Sequence, residues 1–385
     1  MTSAATMNPR QRVAAALAHQ QPDRTPVDLG STCVTSITEG AYRPLMRHLG
    51  LPAGDVRIWD LPQQLPYLPE ELLARLGVDT RVVTVPPERA VPERLLDEGE
   101  YWGWDNRWGA HLRMPKNGGF YFDWVDFPIK EFTEDAVRKF SWPEFDPPEV
   151  LAAYRDEAVR LRTTTDYALV GTGIVGMGIF EQGCFTVGSE EFMMAMVADR
   201  PLAERLLDGI TEFSIESATR YLDQVGEYLD VYQYGDDVAT QLGWMISPES
   251  YVRLIKPRQK RLFDAIRSRT RAKLFYHGCG AVFDLVPHLI DIGVDVLNPV
   301  QVSARGMDTA RLKTSYGRDV VFWGGGVDTQ QVLPFGTPDE VRDEVRRRVR
   351  DLGPDGFVWA AVHNIQAGVP PENIVAAFEA AHEMT

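Results

Sequence analysis

Residues 273–280 read KLFYHGCG, a short apolar run that ends in a turn with two glycines. Similar apolar runs follow at 294–297, 320–323 and 357–360, and a helix-like segment separates each run from the next. Strands that alternate with helices are typical of a parallel sheet, because each helix carries the chain back to the edge where the next strand begins. The sequence from residue 273 onward therefore predicts an α/β fold.

Towards the N-terminus, four more runs resemble strands, around Val27, Val83, Leu169 and Val231. Eight strands spread over 385 residues favour a closed (β/α)8 barrel over an open sheet, and a doubly wound sheet is the alternative. We expect a single distorted (β/α)8 TIM barrel domain over residues 1–385.

Residues 86–145 interrupt this alternation. The segment contains five of the nine tryptophans together with several turn signals, which predict a Trp-rich β excursion from the barrel. Two interpretations remain open: the aromatic residues pack into a small core of their own, or they cover a pocket.

The chain is acidic, with 40 Lys and Arg against 55 Asp and Glu and a formal net charge of −15. Such a surface repels phosphate backbones and anionic lipids, which disfavours nucleic acid and membranes as partners. No apolar run reaches the length of about 18 residues that a membrane span needs, and three widely spaced cysteines do not form a disulfide framework. We expect a soluble cytoplasmic protein that acts on a small molecule.

Polar residues cluster where the predicted strands end, which is where the reacting groups of a (β/α)8 barrel lie. The clearest pair is His277 and Cys279, because an imidazole nitrogen and a thiolate on one turn can bind the same Zn²⁺ ion. His363 follows the last predicted strand and is the best third ligand by position. The alternative is that His277 bonds to a carboxylate and that Cys279 is a small buried apolar side chain.

Other strand ends supply further candidates. Of the adjacent carboxylates Asp236 and Asp237, one can face a pocket while the other caps a turn or a helix. Asp237 is the candidate acid or base. The candidate substrate-binding residues are Asp28, Glu181, Tyr234, Asp236, Gln241 and Asn298.

Several motifs in this order resemble the uroporphyrinogen decarboxylase superfamily. The resemblance implies one distorted barrel with its active site at the C-terminal ends of the strands. The motifs are NPRQR at 8–12, PDRTPV at 22–27, GDD at 235–237, HGCG at 277–280, GGGVD at 324–328, HNIQ at 363–366 and VPPENI at 369–374.

Uroporphyrinogen decarboxylases themselves carry an arginine-rich stretch just after the first strand, which pairs with the carboxylates of the substrate. Residues 29–34 read LGSTCV at that place and contain no cation. A tetrapyrrole with many carboxylates would meet an acidic protein without its arginine clamp, so decarboxylation of a porphyrinogen is disfavoured.

The second branch of the superfamily comprises corrinoid methyltransferases, which bind zinc through His-x-Cys and a later cysteine. His277 and Cys279 match the first two ligands, and the third position falls on His363. Histidine at this place also occurs in the metal-free decarboxylases, so the third ligand remains open.

The resemblance implies a zinc-dependent methyltransferase that demethylates a small methoxylated or N-methylated compound and passes the methyl group to a separate corrinoid-binding protein. Its proposed catalytic residues are Asp237, His277 and His363, and its metal ligands are His277, Cys279 and His363. A homodimer is a further expectation.

The first alternative is a metal-independent decarboxylase or carbon–carbon lyase that acts on a small carboxylic acid, with His277 and His363 as proton donors. The second is a catalytically silent barrel that serves as a scaffold subunit.

Overall fold

A curled sheet of seven parallel strands organises the chain in the computed structural model, which describes residues 6–91, 93–173 and 176–383. The strands are β1 (Ile58–Asp60), β2 (Leu65–Pro66), β3 (Thr80–Val83), β4 (Leu96–Glu98), β5 (Tyr101–Asp105), β6 (His111–Pro115), β7 (Asp123–Asp126), β8 (Ala168–Gly171), β9 (Val231–Gly235), β10 (Ala239–Thr240), β11 (Gly243–Trp244), β12 (Lys273–His277), β13 (Val296–Asn298), β14 (Val321–Trp323) and β15 (Phe357–Val358). The seven strands of the main sheet lie in the order β3, β8, β9, β12, β13, β14 and β15.

Helices cover the outside of this sheet. They are α1 (Pro9–Leu17), α2 (Glu39–His48), α3 (Glu70–Arg75), α4 (Glu134–Lys139), α5 (Pro148–Thr164), α6 (Ile179–Val187), α7 (Ser189–Ala198), α8 (Arg200–Val225), α9 (Pro248–Ser250), α10 (Lys256–Arg267), α11 (Val286–Asp291), α12 (Thr309–Tyr316), α13 (Val332–Phe335), α14 (Pro338–Leu352) and α15 (Pro371–Glu383), with a π-helical segment at Tyr251–Ile255. No helix within the described ranges is long and apolar enough to cross a membrane.

Residues 26–28 join the two edges of the sheet. On one side, Trp359 N donates to the Pro26 carbonyl and Asp28 N donates to the Trp359 carbonyl, each at 2.8 Å. On the other side, Asp79 N donates to the Val27 carbonyl at 2.8 Å. The α/β class is therefore confirmed, and the edge-to-edge bridge excludes the doubly wound alternative. The expected strand at Val27 is only a β-bridge, because Pro26 has no N–H with which to extend a ladder.

The interior of the curled sheet is filled by apolar side chains from alternate strand positions, which point to the same face of each strand. Helix α1 closes the N-terminal end of the strands, where Arg10 N donates to the Asp166 carbonyl just before β8. One buried cluster joins the strands to this helix, and its members include Val13, Ala16, Leu17, Ala168, Val170, Val231, Phe275, Val296, Val321, Trp323 and Val358. The C-terminal ends of the strands remain for a site.

A buried ion cluster fixes α1 under the barrel. The Asp79 carboxylate, which is fully buried, accepts from Arg12 Nη1 at 2.7 Å and from Arg24 Nη1 at 2.8 Å. It also accepts from Val27 N at 2.9 Å, so the same side chain orients the bridging segment. Removing one partner of a buried ion cluster leaves the others with uncompensated charge.

The Asp79→Ala variant is therefore expected to lose about 3 to 5 kcal/mol of unfolding free energy. Chemical denaturation of the variant and of the wild-type protein measures this loss. Asp339, an exposed residue whose carboxylate pairs with Arg342, provides the control, and Asp339→Ala is expected to change the unfolding free energy little. An Asp79→Ala protein as stable as the Asp339→Ala protein would contradict the role of this cluster.

Within residues 86–145 the chain forms a four-stranded antiparallel sheet in the order β4, β5, β6 and β7. Trp102, Trp104 and Trp124 pack against its buried cluster, together with Leu61 from the β1–β2 region. Trp124 also stacks on Phe185 of α6, with ring centroids 4.0 Å apart. This sheet thus contacts both the β1–β2 region and α6, which lies next to the candidate site described below.

Candidate metal centre

Three potential metal ligands converge at the C-terminal ends of the strands. His277 ends β12, Cys279 lies two residues beyond it, and His363 follows β15. One donor atom from each of these side chains lies within 4.8 Å of the others. The His277 Nε2 atom and the Cys279 Sγ atom are 3.4 Å apart, and the two imidazole centroids are 5.4 Å apart. The structure thus brings together the three residues that the sequence singled out.

The turn that carries Cys279 requires glycine. Gly280 has a φ of +99°, and a Cβ atom at this position would lie 2.6 Å from the Thr240 carbonyl oxygen. A left-handed backbone and so close an approach both exclude a side chain. Gly280 N also donates to the Gln301 side chain at 2.6 Å. The HGCG motif therefore folds tightly against the β10–β11 hairpin and turns Cys279 back towards His277.

The electrostatics of the three side chains fit a divalent cation. Burial, assisted by the neighbouring His277, lowers the pKa of His363 to about 3, so this ring is neutral and keeps a lone pair for a ligand bond. Burial and the charges of Asp237 and Glu181 hold the pKa of the Cys279 thiol well above its usual value. A thiol in these surroundings ionises readily only when a cation is bound beside it.

The donor set itself is one that zinc accepts, with two imidazole nitrogens and one sulfur. Tetrahedral zinc places its ligand atoms about 3.3 to 3.8 Å from one another. The separation of 3.4 Å between His277 Nε2 and Cys279 Sγ falls in this range. The His363 donor atom lies within 4.8 Å of the other two, so these three side chains are candidate ligands for one metal ion.

Asp237 lies beside this cluster. Its Oδ1 atom accepts from Cys279 N at 2.7 Å and lies 3.9 Å from His277 Nε2. About a third of the side chain is exposed. The hydrogen bond from Cys279 N therefore fixes the Asp237 carboxylate, which remains partly exposed at the C-terminal ends of the strands.

Asp236 has a different position, although it is adjacent in sequence. Its buried carboxylate accepts from Phe180 N and Glu181 N in the first turn of α6, at 3.1 and 3.0 Å. It also accepts from the Tyr234 hydroxyl at 3.0 Å and from Gln259 Nε2 at 2.9 Å. Desolvation on burial raises the pKa of Asp236 to about 6. Asp236 therefore anchors the helix that carries Glu181.

Glu181 faces the cluster from this helix. Burial and the negative charges of Asp237 and Asp236 raise its pKa well above the ordinary value. Across the described residues, no lysine or arginine lies within 4.0 Å of the Glu181 or Asp237 carboxylates. Within the described residues, the candidate metal ligands thus have acidic neighbours that no lysine or arginine side chain pairs with.

The other predicted substrate-binding residues differ in their surroundings. Asp28 is buried and accepts from Thr80 Oγ1 at 2.6 Å and from Trp323 Nε1 at 2.8 Å. Asn298 and Tyr234 are also buried, with their polar atoms bonded to protein groups. The side chain of Gln241 is exposed in the β10–β11 hairpin. The structure therefore buries Asp28, Tyr234 and Asn298 and bonds their polar atoms to protein groups.

Three further residues around the site were not among the candidate site residues from the sequence. The carbonyl of Cys33 accepts from Gln63 Nε2 at 3.0 Å and from Asn364 Nδ2 at 2.8 Å, which ties the His363 loop to the loop after residues 26–28. Asp60 lies at the start of the same β1–β2 connection as Gln63, and burial raises the pKa of the Asp60 carboxyl group to about 6. Charge from Asp60 and Glu181 adds to burial in raising the pKa of the Cys33 thiol to about 12. Asp60 ends the three-residue strand β1, and Gln63 and Asn364 lie in irregular segments. No periodic pattern marks these side chains as inward-facing, although Asn364 belongs to the HNIQ motif.

Comparisons with known proteins agree with this architecture. The uroporphyrinogen decarboxylase (URO-D) family model matches residues 155–384. The uroporphyrinogen decarboxylase of Syntrophotalea carbinolica is 27% identical over 270 residues, which cover 67% of this chain and 71% of that protein. The uroporphyrinogen decarboxylase of Geobacter metallireducens is 23% identical over 355 residues, which cover 87% and 96%.

Among solved structures, a methyltransferase from Methanosarcina mazei shares the fold with a TM-score of 0.64 at 19% identity. The superposition covers 98% of this chain and 99% of the methyltransferase. The family model spans more than half of the sequence, including all of the candidate metal ligands. The chain therefore belongs to the uroporphyrinogen decarboxylase family.

Proposed function

We propose that the protein is a zinc-dependent methyltransferase that demethylates a small methoxylated or N-methylated compound and transfers the methyl group to a corrinoid on a separate protein. The observation that carries this proposal is the convergence of His277, Cys279 and His363 at the barrel mouth. The Methanosarcina mazei protein, a methyltransferase by name, shares the fold over almost its whole length. The two lines of support are independent, because one rests on side chains and the other on the backbone.

The charges around the site favour a neutral or cationic substrate. Glu181 and Asp237 lie beside the candidate ligands, and residues 29–34 supply no arginine. A polycarboxylate tetrapyrrole would bring further negative charge beside these two carboxylates, which pair with no lysine or arginine among the described residues. The relatives are named uroporphyrinogen decarboxylases, but the residues present here fit that substrate poorly.

The reaction breaks the bond between the methyl carbon and an oxygen or nitrogen of the donor. The methyl group moves without the bonding electron pair, which stays on the heteroatom, and the heteroatom then takes up a proton. Zinc held by His277, Cys279 and His363 would supply a Lewis acid at the site. Asp237, fixed through Cys279 N and still partly exposed, is placed to hold the proton for the leaving heteroatom.

A corrinoid bound to the partner protein would supply, in its reduced state, the electron pair for the new bond to the methyl carbon. The protein partner that carries the corrinoid approaches from the C-terminal ends of the strands, since α1 closes the opposite end. The electron count would balance, because the donor keeps the two electrons of the broken bond and the reduced corrinoid would supply the two electrons of the new one.

The alternative is a metal-independent decarboxylase with His277 and His363 as proton donors. Burial lowers the pKa of His363 to about 3, which disfavours this ring as a proton donor near neutral pH and leaves His277 as the donor in that alternative. A catalytically silent scaffold is also less well supported. Burial of the Glu181 carboxyl group without a lysine or arginine partner is costly, and a scaffold would have no use for it.

Methyl transfer to reduced free cobalamin tests the proposal directly. Zinc-loaded protein is incubated with a panel of methoxylated aromatic compounds and N-methylated amines, and methylcobalamin is followed by its absorption spectrum while mass spectrometry identifies the demethylated product. We expect methylcobalamin and product in equal amounts with at least one donor. Release of carbon dioxide from small carboxylic acids, with no methyl transfer from any donor, would contradict the proposal.

A further inference from the structure

A buried chain of hydrogen bonds leads from His277 into the barrel. Asn298 ends β13 and lies opposite His277 in the parallel register. Its Oδ1 atom lies 2.5 Å from His277 Nδ1, and its Nδ2 atom donates to the Trp323 carbonyl at 2.8 Å. The indole of Trp323 in turn donates to Asp28 Oδ2 at 2.8 Å. Asn298 thus bonds to Nδ1 of the imidazole, whereas Cys279 Sγ lies beside Nε2.

The direction of each hydrogen bond in this chain is determined by chemistry. A backbone carbonyl only accepts, so the amide group of Asn298 that faces Trp323 must be the NH₂ group. The carbonyl oxygen of Asn298 then faces His277, and it can only accept as well. Nδ1 of His277 must therefore carry the proton, which leaves the lone pair of a neutral ring on Nε2, the atom that faces Cys279 Sγ at 3.4 Å.

The space around the Asn298 amide is also restricted. Gly324 has a φ of +86°, and a Cβ atom there would lie 2.9 Å from Asn298 Nδ2. Asn298 itself is fully buried, so water cannot take the place of either protein partner. An aspartate at this position would still accept from His277 but would place an oxygen against the Trp323 carbonyl.

We propose that Asn298 is a positioning residue that holds His277 in the Nδ1–H tautomer, so that Nε2 is always available to the metal. Trp323 and Asp28 hold Asn298 in the orientation that this role requires. The inference rests on the zinc site of the proposed function, but it does not depend on which group the enzyme transfers. Residues behind a metal-bound histidine commonly fix its tautomer and ring orientation, and their loss typically lowers metal affinity by about 10- to 100-fold.

Nitrogen-15 NMR of the metal-free protein, labelled in its seven histidines, gives a readout that is independent of activity. Free neutral imidazole favours the Nε2–H tautomer, so an Nδ1–H signal that disappears in the His277→Gln variant identifies the constrained ring. We expect this signal in the wild-type protein. Its absence, with His277 in the Nε2–H form, would overturn the proposal without any need for a variant of Asn298.

Two variants at position 298 then test the effect on metal binding. Asn298→Leu removes the acceptor at similar volume, and we expect the Nδ1–H signal to be lost and zinc to bind about 10- to 100-fold more weakly in competition with a chromophoric chelator. Asn298→Asp keeps the acceptor, so we expect it to retain the Nδ1–H signal and to bind zinc more tightly than the leucine variant. Equal zinc affinity in the wild-type and leucine proteins, or equal loss in both variants, would overturn the proposal. Neither result depends on methyl transfer, so a failure of the proposed reaction would be recognised separately.

Discussion

The Cys279→Ala variant is expected to retain less than about a tenth of an equivalent of zinc after dialysis, where the wild-type protein retains about one equivalent. Cys279 supplies the sulfur of the three-residue set, and its backbone turn is already fixed by Asp237 and Gln301. Its loss leaves two imidazoles, which is too few for a tight zinc site. Elemental analysis by mass spectrometry measures the metal, and methyl transfer is expected to fall to background in the same preparation.

Cys184 provides the matched control, because it is a buried cysteine that packs in the core through α6 and is not part of the metal cluster. Cys184→Ala is expected to keep about one equivalent of zinc, even if its stability falls. Full zinc in the Cys279→Ala protein would show that this thiol is not a ligand and would remove the main support for the proposed function.

The Asp237→Asn variant is expected to lower the turnover number by about 10² to 10⁴ while leaving the zinc content unchanged. An asparagine oxygen can still accept from Cys279 N, so the turn that carries the ligand stays in place. The amide cannot give or take the proton that the leaving heteroatom needs. Steady-state kinetics with the best donor from the panel, with zinc measured in the same sample, separate these two effects.

Asp284, an exposed carboxylate beyond the HGCG turn, is a suitable comparison. Asp284→Asn is expected to retain wild-type turnover, since its side chain lies at the surface. If Asp237→Asn turns over within a few-fold of the wild-type protein, Asp237 is not the acid, and the neighbouring Glu181 is the next residue to replace.

Much of the fold was predictable from the regular alternation after residue 273. Each predicted strand in that region overlaps one in the structure, because buried parallel strands are nearly continuous apolar runs that are easy to locate. The predicted strand at Val27 is reduced to a bridge, because Pro26 limits the ladder and the closure relies on three backbone bonds instead. Such a bridge cannot be distinguished from a regular strand in the sequence.

The metal cluster was predictable because the ends of parallel strands share one edge of the sheet. His277, Cys279 and His363 come together for that reason. The substrate-binding expectations for Asp28 and Asn298 depended on which way a polar side chain points at a strand end. The structure buries both side chains and bonds their polar atoms to protein groups.

Asp60 and Asn364 show a different limit of sequence reasoning. Both lie outside the strands of the main sheet, and they reach the site only because the β1–β2 region and the His363 loop fold over the barrel mouth. Contacts between short or irregular segments that are far apart in the chain produce no regular residue spacing, so they could not be predicted from the sequence.

Zinc K-edge X-ray absorption of protein purified without chelators tests the metal centre most directly. We predict about one zinc per chain with one sulfur neighbour at about 2.3 Å and nitrogen or oxygen neighbours at about 2.0 to 2.1 Å, and we predict that the sulfur contribution is lost in whatever zinc the Cys279→Ala variant retains. Protein that holds no zinc after saturation with the metal, or zinc without a sulfur neighbour in the wild-type chain, would contradict the assignment of His277, Cys279 and His363 as its ligands.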